Sequence, residues 1–202
     1  MTAPGGRRRP QDIAVVLPED WWIVPLRPAG ARQRSIRQLV DKQFQGLDDQ
    51  PILRSDMARK FEQAGRDAAA AKGRWMAVSL QRAAGIPIPA ALVVSWLELG
   101  PGQGGGHLSA LADEPTGEPA DLAMAQLPCG RVVRRLRSSV PVDDPELATE
   151  ELDPVNVDYW LEFPSDDGMV QLSFSTPLAV LAEALVELFD AIIGTVRWVY
   201  TG

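Results

Sequence analysis

Hydrophobic and polar positions alternate with a period of two over two neighbouring stretches near the carboxyl end. Val155, Val157, Tyr159, Leu161 and Phe163 alternate with mostly polar residues, and after Ser165-Asp166-Asp167-Gly168 the alternation resumes at Val170, Leu172 and Phe174. This predicts a hairpin with one buried face, closed by good turn residues. Ser175-Thr176-Pro177 then reads as a helix cap followed by proline at the first helical position. Leu178, Leu181, Leu185, Leu188, Phe189, Ile192 and Val196 follow at helical spacing. A helix over 178–196 is therefore expected to lay a broad apolar face on the hairpin.

Earlier in the chain, Ile13 to Leu17 reads as a short strand, and Trp21-Trp22-Ile23-Val24-Pro25-Leu26 as a very apolar piece. Paired tryptophans either anchor a segment to a core or, if exposed, mark a binding surface; burial of at least one ring is expected. Ile36, Leu39, Val40, Gln43, Phe44 and Leu47 recur at i, i+3, i+4, i+7, which predicts an amphipathic helix from about residue 31. A second helix is expected over 51–72, with Leu53, Met57, Phe61, Ala64 and Ala68 as its inner row and Gly73 as a left-handed terminator. From Arg74 the period returns to two. Trp75, Ala77 and Ser79 face one way, Met76, Val78 and Leu80 the other, and Ala90 to Leu99 forms a neighbouring strand. Gly100 to His107 reads as a flexible hairpin loop before a short helix over 108–112. Strands are expected over 122–127 and 131–140, the latter at an exposed edge because Arg131, Arg134, Arg135 and Arg137 interrupt its alternation.

The predicted fold class is α+β: a twisted antiparallel sheet covered by a C-terminal helix and an N-terminal helical pair. In domain terms this is a disordered basic tail over 1–12 and a single α+β domain over 13–202. That domain holds the helical pair at 31–72, strands at 74–140, and the hairpin plus C-terminal helix at 155–200.

The longest apolar runs fall far short of the roughly 20 residues of a membrane span. Arg7, Arg8 and Arg9 precede an apolar run too short for an export signal, and the single Cys129 has no internal disulfide partner, so a cytoplasmic protein is expected. Charge is unevenly spread. Up to Arg82 there are 15 lysines and arginines against 9 acids; from Ala83 onward there are 5 against 18. The basic half is read as solvated helix faces or as pairing with the acidic half. Nucleic-acid binding is the weaker alternative, and a pI near 4.8 argues against it.

Candidate chemistry is sparse. The glycine-rich stretch lacks the Gly-Lys-Ser/Thr ending of a phosphate-binding loop. His107 is the only histidine, which excludes a multi-histidine metal site and leaves nucleophilic catalysis without a rigidly held base. Cys129, between Pro128 and Gly130, reads as a turn residue rather than a nucleophile. The acidic run from Asp143 to Asp153, with Asp144 and Glu146, lacks the alternation and central glycine of a calcium loop. No catalytic residue, cofactor or metal is expected. The arginines 131, 134, 135 and 137 either bind an acidic partner or are neutralised by the acidic loop that follows them.

Asp158-Tyr159-Trp160-Leu161-Glu162-Phe163-Pro164 and Val170-Gln171-Leu172-Ser173-Phe174-Ser175-Thr176-Pro177, followed by a closing helix, resemble the Mog1/PsbP type of α/β/α sandwich. The chain is also similar in style to proteins of high-GC actinobacteria, notably in Leu17-Pro18-Glu19-Asp20-Trp21-Trp22. The sandwich resemblance covers about residues 74–200 and implies a non-catalytic binding partner, assembly factor or accessory subunit. The expected function is therefore non-enzymatic protein–protein interaction, as an accessory or chaperone-like factor of a larger assembly or secretion machine. Its expected partner-binding residues are Arg131, Arg134, Arg135, Arg137, Asp143, Asp144, Glu146, Trp21 and Trp22, with homo-oligomerisation left open. The alternative is a small-molecule-binding protein or enzyme whose pocket lies between sheet and helix and uses Trp96, Trp160 or His107.

Overall fold

The computed structural model describes residues 8–45, 50–101, 103–113, 120–137 and 154–200. Along the chain the strands and helices are β1 (Asp12–Ala14), β2 (Trp21–Pro25), α1 (Ala29–Gln43), α2 (Pro51–Ala70), β3 (Gly73–Ser79), β4 (Arg82–Ala83), β5 (Ile86–Pro87), β6 (Ala91–Glu98), α3 (Gly104–Asp113), β7 (Ala120–Leu127), β8 (Gly130–Arg137), β9 (Val155–Glu162), β10 (Gly168–Thr176), α4 (Ala182–Gly194) and β11 (Arg197–Val199). The fold is α+β, built on antiparallel sheet with an N-terminal helix pair and a C-terminal helix. By internal contacts the chain forms two compact units, Glu19–Ser95 and the remainder, with the division falling inside β6.

In the Glu19–Ser95 unit, β3 pairs antiparallel with β2 on one side and β6 on the other, in register Val24↔Met76 and Met76↔Val93. Met76 and Val78 meet Ile36, Leu39, Val40 and Phe44 of the α1 segment, with Val24 and Leu26 completing the core, as their alternation predicted. Helix α2 contributes Met57, Ala58, Phe61, Ala68 and Ala69 to this cluster, and Gly65 is its fully buried position. The predicted inner row is corrected at two points: Ala64 is exposed and Leu53 is half exposed. The reason lies at Gly65, where an added Cβ would stand 2.8 Å from Arg32 Cδ, so the helix turns its smallest residue toward a buried arginine. Arg32 in turn donates to the Leu26 carbonyl and to Glu62, joining α1, α2 and the end of β2.

Gly73 is not the helix terminator. The left-handed residue is Lys72 (φ 63°), and Gly73 already opens β3. Glycine is needed there for space, because a Cβ would fall 2.6 Å from both the Ala68 carbonyl oxygen and Leu26 Cδ1.

In the second unit the strand order is β6-β10-β9-β8-β7, with only the Trp96–Glu98 end of β6 belonging to it. The predicted hairpin is present as β9 and β10, in unbroken register from Met169↔Glu162 to Thr176↔Val155. On one face Tyr159, Phe174 and Phe189 of α4 pack together, the two phenylalanine rings stacked at 4.3 Å. On the other, Leu108 of α3 packs on Val133, Trp160 and Met169. At the Trp96 end, Phe163 and Trp198 close an aromatic cluster. β11 pairs antiparallel with β1, an addition that the helical pattern over 178–196 did not predict.

Three further expectations are corrected here. α4 starts at Ala182, because Ser175 and Thr176 remain in the ladder opposite Asn156 and Val155, and the Leu178 N–H bonds Thr176 Oγ1 instead of entering a helix. Residues 104–113 form helix α3, not a loop; burial of Leu108 outweighs the roughly 1 kcal/mol that each glycine costs a helix. β8 is not an edge strand: it pairs with β7 and β9, and the edge is β7.

Candidate functional site

The four β8 arginines owe their placement to the strand's alternation. Arg131, Val133, Arg135 and Arg137 share one face, and Arg134 points to the other with Val132 and Leu136. Each arginine meets a carboxylate within its own unit. Arg131 pairs with Glu162 at 3.1 Å. Arg137 donates to Asp158 at 2.6 Å, while Arg135, directly opposite Asp158 in the ladder, lies 3.9 Å from it and stacks over the Trp160 ring. Asp158 is only 2% exposed and also accepts from Ser173 Oγ and Gln171 Nε2. This cross-strand row from β8 to β10 holds a buried carboxylate by charge-assisted hydrogen bonds.

On the other face Arg134 donates to Asp190 of α4 at 2.6 Å, and the Tyr159 hydroxyl donates to the same carboxylate at 2.8 Å. Burial and the neighbouring Asp190 push the Tyr159 phenol well above the ordinary tyrosine range. The group stays protonated and tethers α4 to the sheet.

These contacts are with carboxylates other than those of the acidic loop that the sequence reading named. The carboxylates come from β9, from α4 and, 3.6 Å from Arg134, from Asp121 of β7, sites that the sequence pattern did not single out. The acidic segment with Asp143, Asp144 and Glu146 lies outside the described residues. Trp21 is buried. Trp22 is partly buried, donates to Ser35 Oγ at 3.1 Å, and holds the Lys42 ammonium 5.6 Å from its ring. Trp96 and Trp160 are both core residues, and His107 is exposed on α3. Burial raises the Cys129 thiol above its usual range, which disfavours a thiolate. Among the described residues no group of three histidine, cysteine or acidic side chains is arranged to hold a metal.

A concave feature with apolar lining lies elsewhere, wholly within the Glu19–Ser95 unit. Phe44, Leu53, Met57, Leu80, Pro87 and Pro89 line an open groove of about 450 Å³. Lys42, Arg82, Gln43 and Asp20 also line it. Gln43 Oε1 is buried there without a hydrogen-bond donor among the described residues. Ile52 is 78% exposed and Leu53 50%, in the first turn of α2, and Ile86 of the β4–β5 hairpin is 69% exposed. The sequence held one usable signal for this place: Leu53 and Ile52 sit in a first turn where no inward row can bury both. Comparison with family models, with curated proteins and with solved structures finds no match for this chain.

Proposed function

We propose that the protein is a non-enzymatic, cytoplasmic binding protein that takes an apolar segment of another protein in the groove of its Glu19–Ser95 unit. The observation that carries this reading is the groove itself: an apolar floor open to solvent, with Leu53 half exposed in its lining and Ile52 and Ile86 exposed next in sequence to the lining residues Leu53 and Pro87. Two cations, Lys42 and Arg82, face one acid, Asp20, along the lining, so the segment that fits best carries carboxylates beside its apolar anchors. A backbone N–H of that segment would satisfy Gln43 Oε1. The arginine row is engaged internally, which leaves the groove as the better docking surface. An accessory or chaperone-like role in a larger assembly or secretion machine is consistent with the resemblance to the Mog1/PsbP type and remains part of the proposal.

A photo-crosslinking residue at Leu53, with Val180 as the exposed control, tests the reading in cells. A protein captured at Leu53 and not at Val180, and at least about tenfold weaker on a Leu53→Asp variant, supports it. Equal capture at both positions would sink it. A small-molecule ligand is the second reading, favoured by the groove's volume, which falls in the ~300–1,000 Å³ span of such sites. A small molecule that raises the melting temperature of wild type but not of Gln43→Leu, with no protein captured, would establish it instead.

A further inference from the structure

We propose that β7 is a self-association edge, which pairs antiparallel with β7 of a second copy of this chain. β7 contains none of the groove residues. β7 ends its strand order and, among the described residues, is bonded on one side only, by β8, in unbroken register from Ala120↔Arg137 to Leu127↔Gly130. A two-residue turn, Pro128-Cys129, closes that hairpin. Partners three residues apart must exchange both hydrogen bonds, so Leu127, Ala125, Ala123 and Asp121 bond inward. By alternation Leu122, Met124 and Gln126 turn their N–H and C=O groups outward, and among the described residues these outer groups have no partner.

Protein edges are usually blunted by proline, lysine, a bulge or shortness. β2, which ends the strand order in the other unit, has two of these: it is five residues long and ends in Pro25. β7 has eight residues, no proline, no lysine and no bulge. Met124, opposite Val133, is 59% exposed, although Val133 belongs to the buried cluster of Leu108, Trp160 and Met169. Leu122 already packs against that cluster.

The strand also suits its own copy. A two-fold axis at Ala123 sets Ala123 opposite Ala123, Leu122 opposite Met124 and Asp121 opposite Ala125. That register pairs outward-bonding residues with one another, buries Met124 against an apolar neighbour, and keeps the strand's one charge away from its own copy. Asp121 is moreover 3.6 Å from Arg134 of its own chain. Shifting the axis to Met124 would set Leu122 against Gln126 and leave Leu122 facing a polar side chain.

Sedimentation equilibrium of the full chain is the test. The expected result is a concentration-dependent dimer that Met124→Lys weakens at least about tenfold, since a lysine on an edge opposes pairing, with the far-ultraviolet circular dichroism unchanged. A second measurement remains informative if Met124→Lys disturbs folding. In a Cys129→Ser background, Ala123→Cys is expected to form an intermolecular disulfide on mild oxidation, whereas Ser109→Cys, exposed on α3, is not. A chain that stays monomeric up to millimolar concentration overturns the proposal. So does a dimer that is indifferent to Met124→Lys and gives no cross-link at Ala123.

Discussion

On β8, β9 and β10 the charged side chains face one another, whereas in the Glu19–Ser95 unit several large apolar side chains face solvent. Arg131, Arg134, Arg135 and Arg137 meet Glu162, Asp190 and Asp158 across the ladder and on α4. Ile52, Leu53 and Ile86 are 78%, 50% and 69% exposed among the described residues. A run of arginines is conspicuous in a sequence because charge normally marks surface, yet a strand's alternation sets each one beside a cross-strand carboxylate, where pairing and hydrogen bonding satisfy it. Exposed leucine and isoleucine at a helix start are inconspicuous, yet they leave apolar area in water, which is the condition that favours binding. The arginine row is closed and the groove is open.

The most damaging change should fall in the closed region. Asp158→Ala leaves Arg135 and Arg137 without their buried carboxylate and is expected to cost about 3–5 kcal/mol in urea unfolding; a cost below about 1 kcal/mol would mean that the row is not closed. Gly73→Ala should cost about 1–3 kcal/mol in the same measurement, because the new methyl meets backbone at Ala68 and the Leu26 side chain.

Tyr159→Phe removes one hydrogen bond to Asp190 and is expected to cost about 1 kcal/mol at neutral pH. It also has a pH signature. The folded state holds the Tyr159 proton above the range in which an unfolded tyrosine releases it, so this contribution is fully present below pH ~10 and is lost as pH rises beyond that. Melting temperature recorded against pH should therefore fall less steeply in Tyr159→Phe than in wild type above pH ~10; parallel curves would remove the buried phenol from the account.

The smallest effect belongs to the open region: Leu53→Asp should change unfolding free energy by no more than about 0.5 kcal/mol while abolishing capture at the groove. A larger stability loss would show that Leu53 is a core residue after all, and the contrast between the two regions would collapse.

Local pattern was enough to place most elements. The hairpin of β9 and β10, helices α1 and α2, and strands β3, β6, β7 and β8 all follow from periods of two and 3.6. Each misreading came where a distant partner overrode a local signal. Ser175-Thr176-Pro177 has cap chemistry, but Val155 claims Thr176 for the ladder. Gly104-Gly105-Gly106 resists helix, but Leu108 has a buried place to fill. Gly73 looks like a terminator, but its missing side chain makes room for Ala68 and Leu26. The arginines of β8 looked like an edge because they interrupt its alternation, and the carboxylates that hold them stand on β9, α4 and β7, 13 to 56 residues away in sequence.

The chain by itself determined its α+β class, its hairpin and its helical pair, because side-chain alternation and helical repeat are properties of consecutive residues. Only the tertiary structure decided which charges are satisfied and which apolar side chains are left in water. Those outcomes depend on what stands across the ladder or against the helix, and residues far apart in sequence supply it.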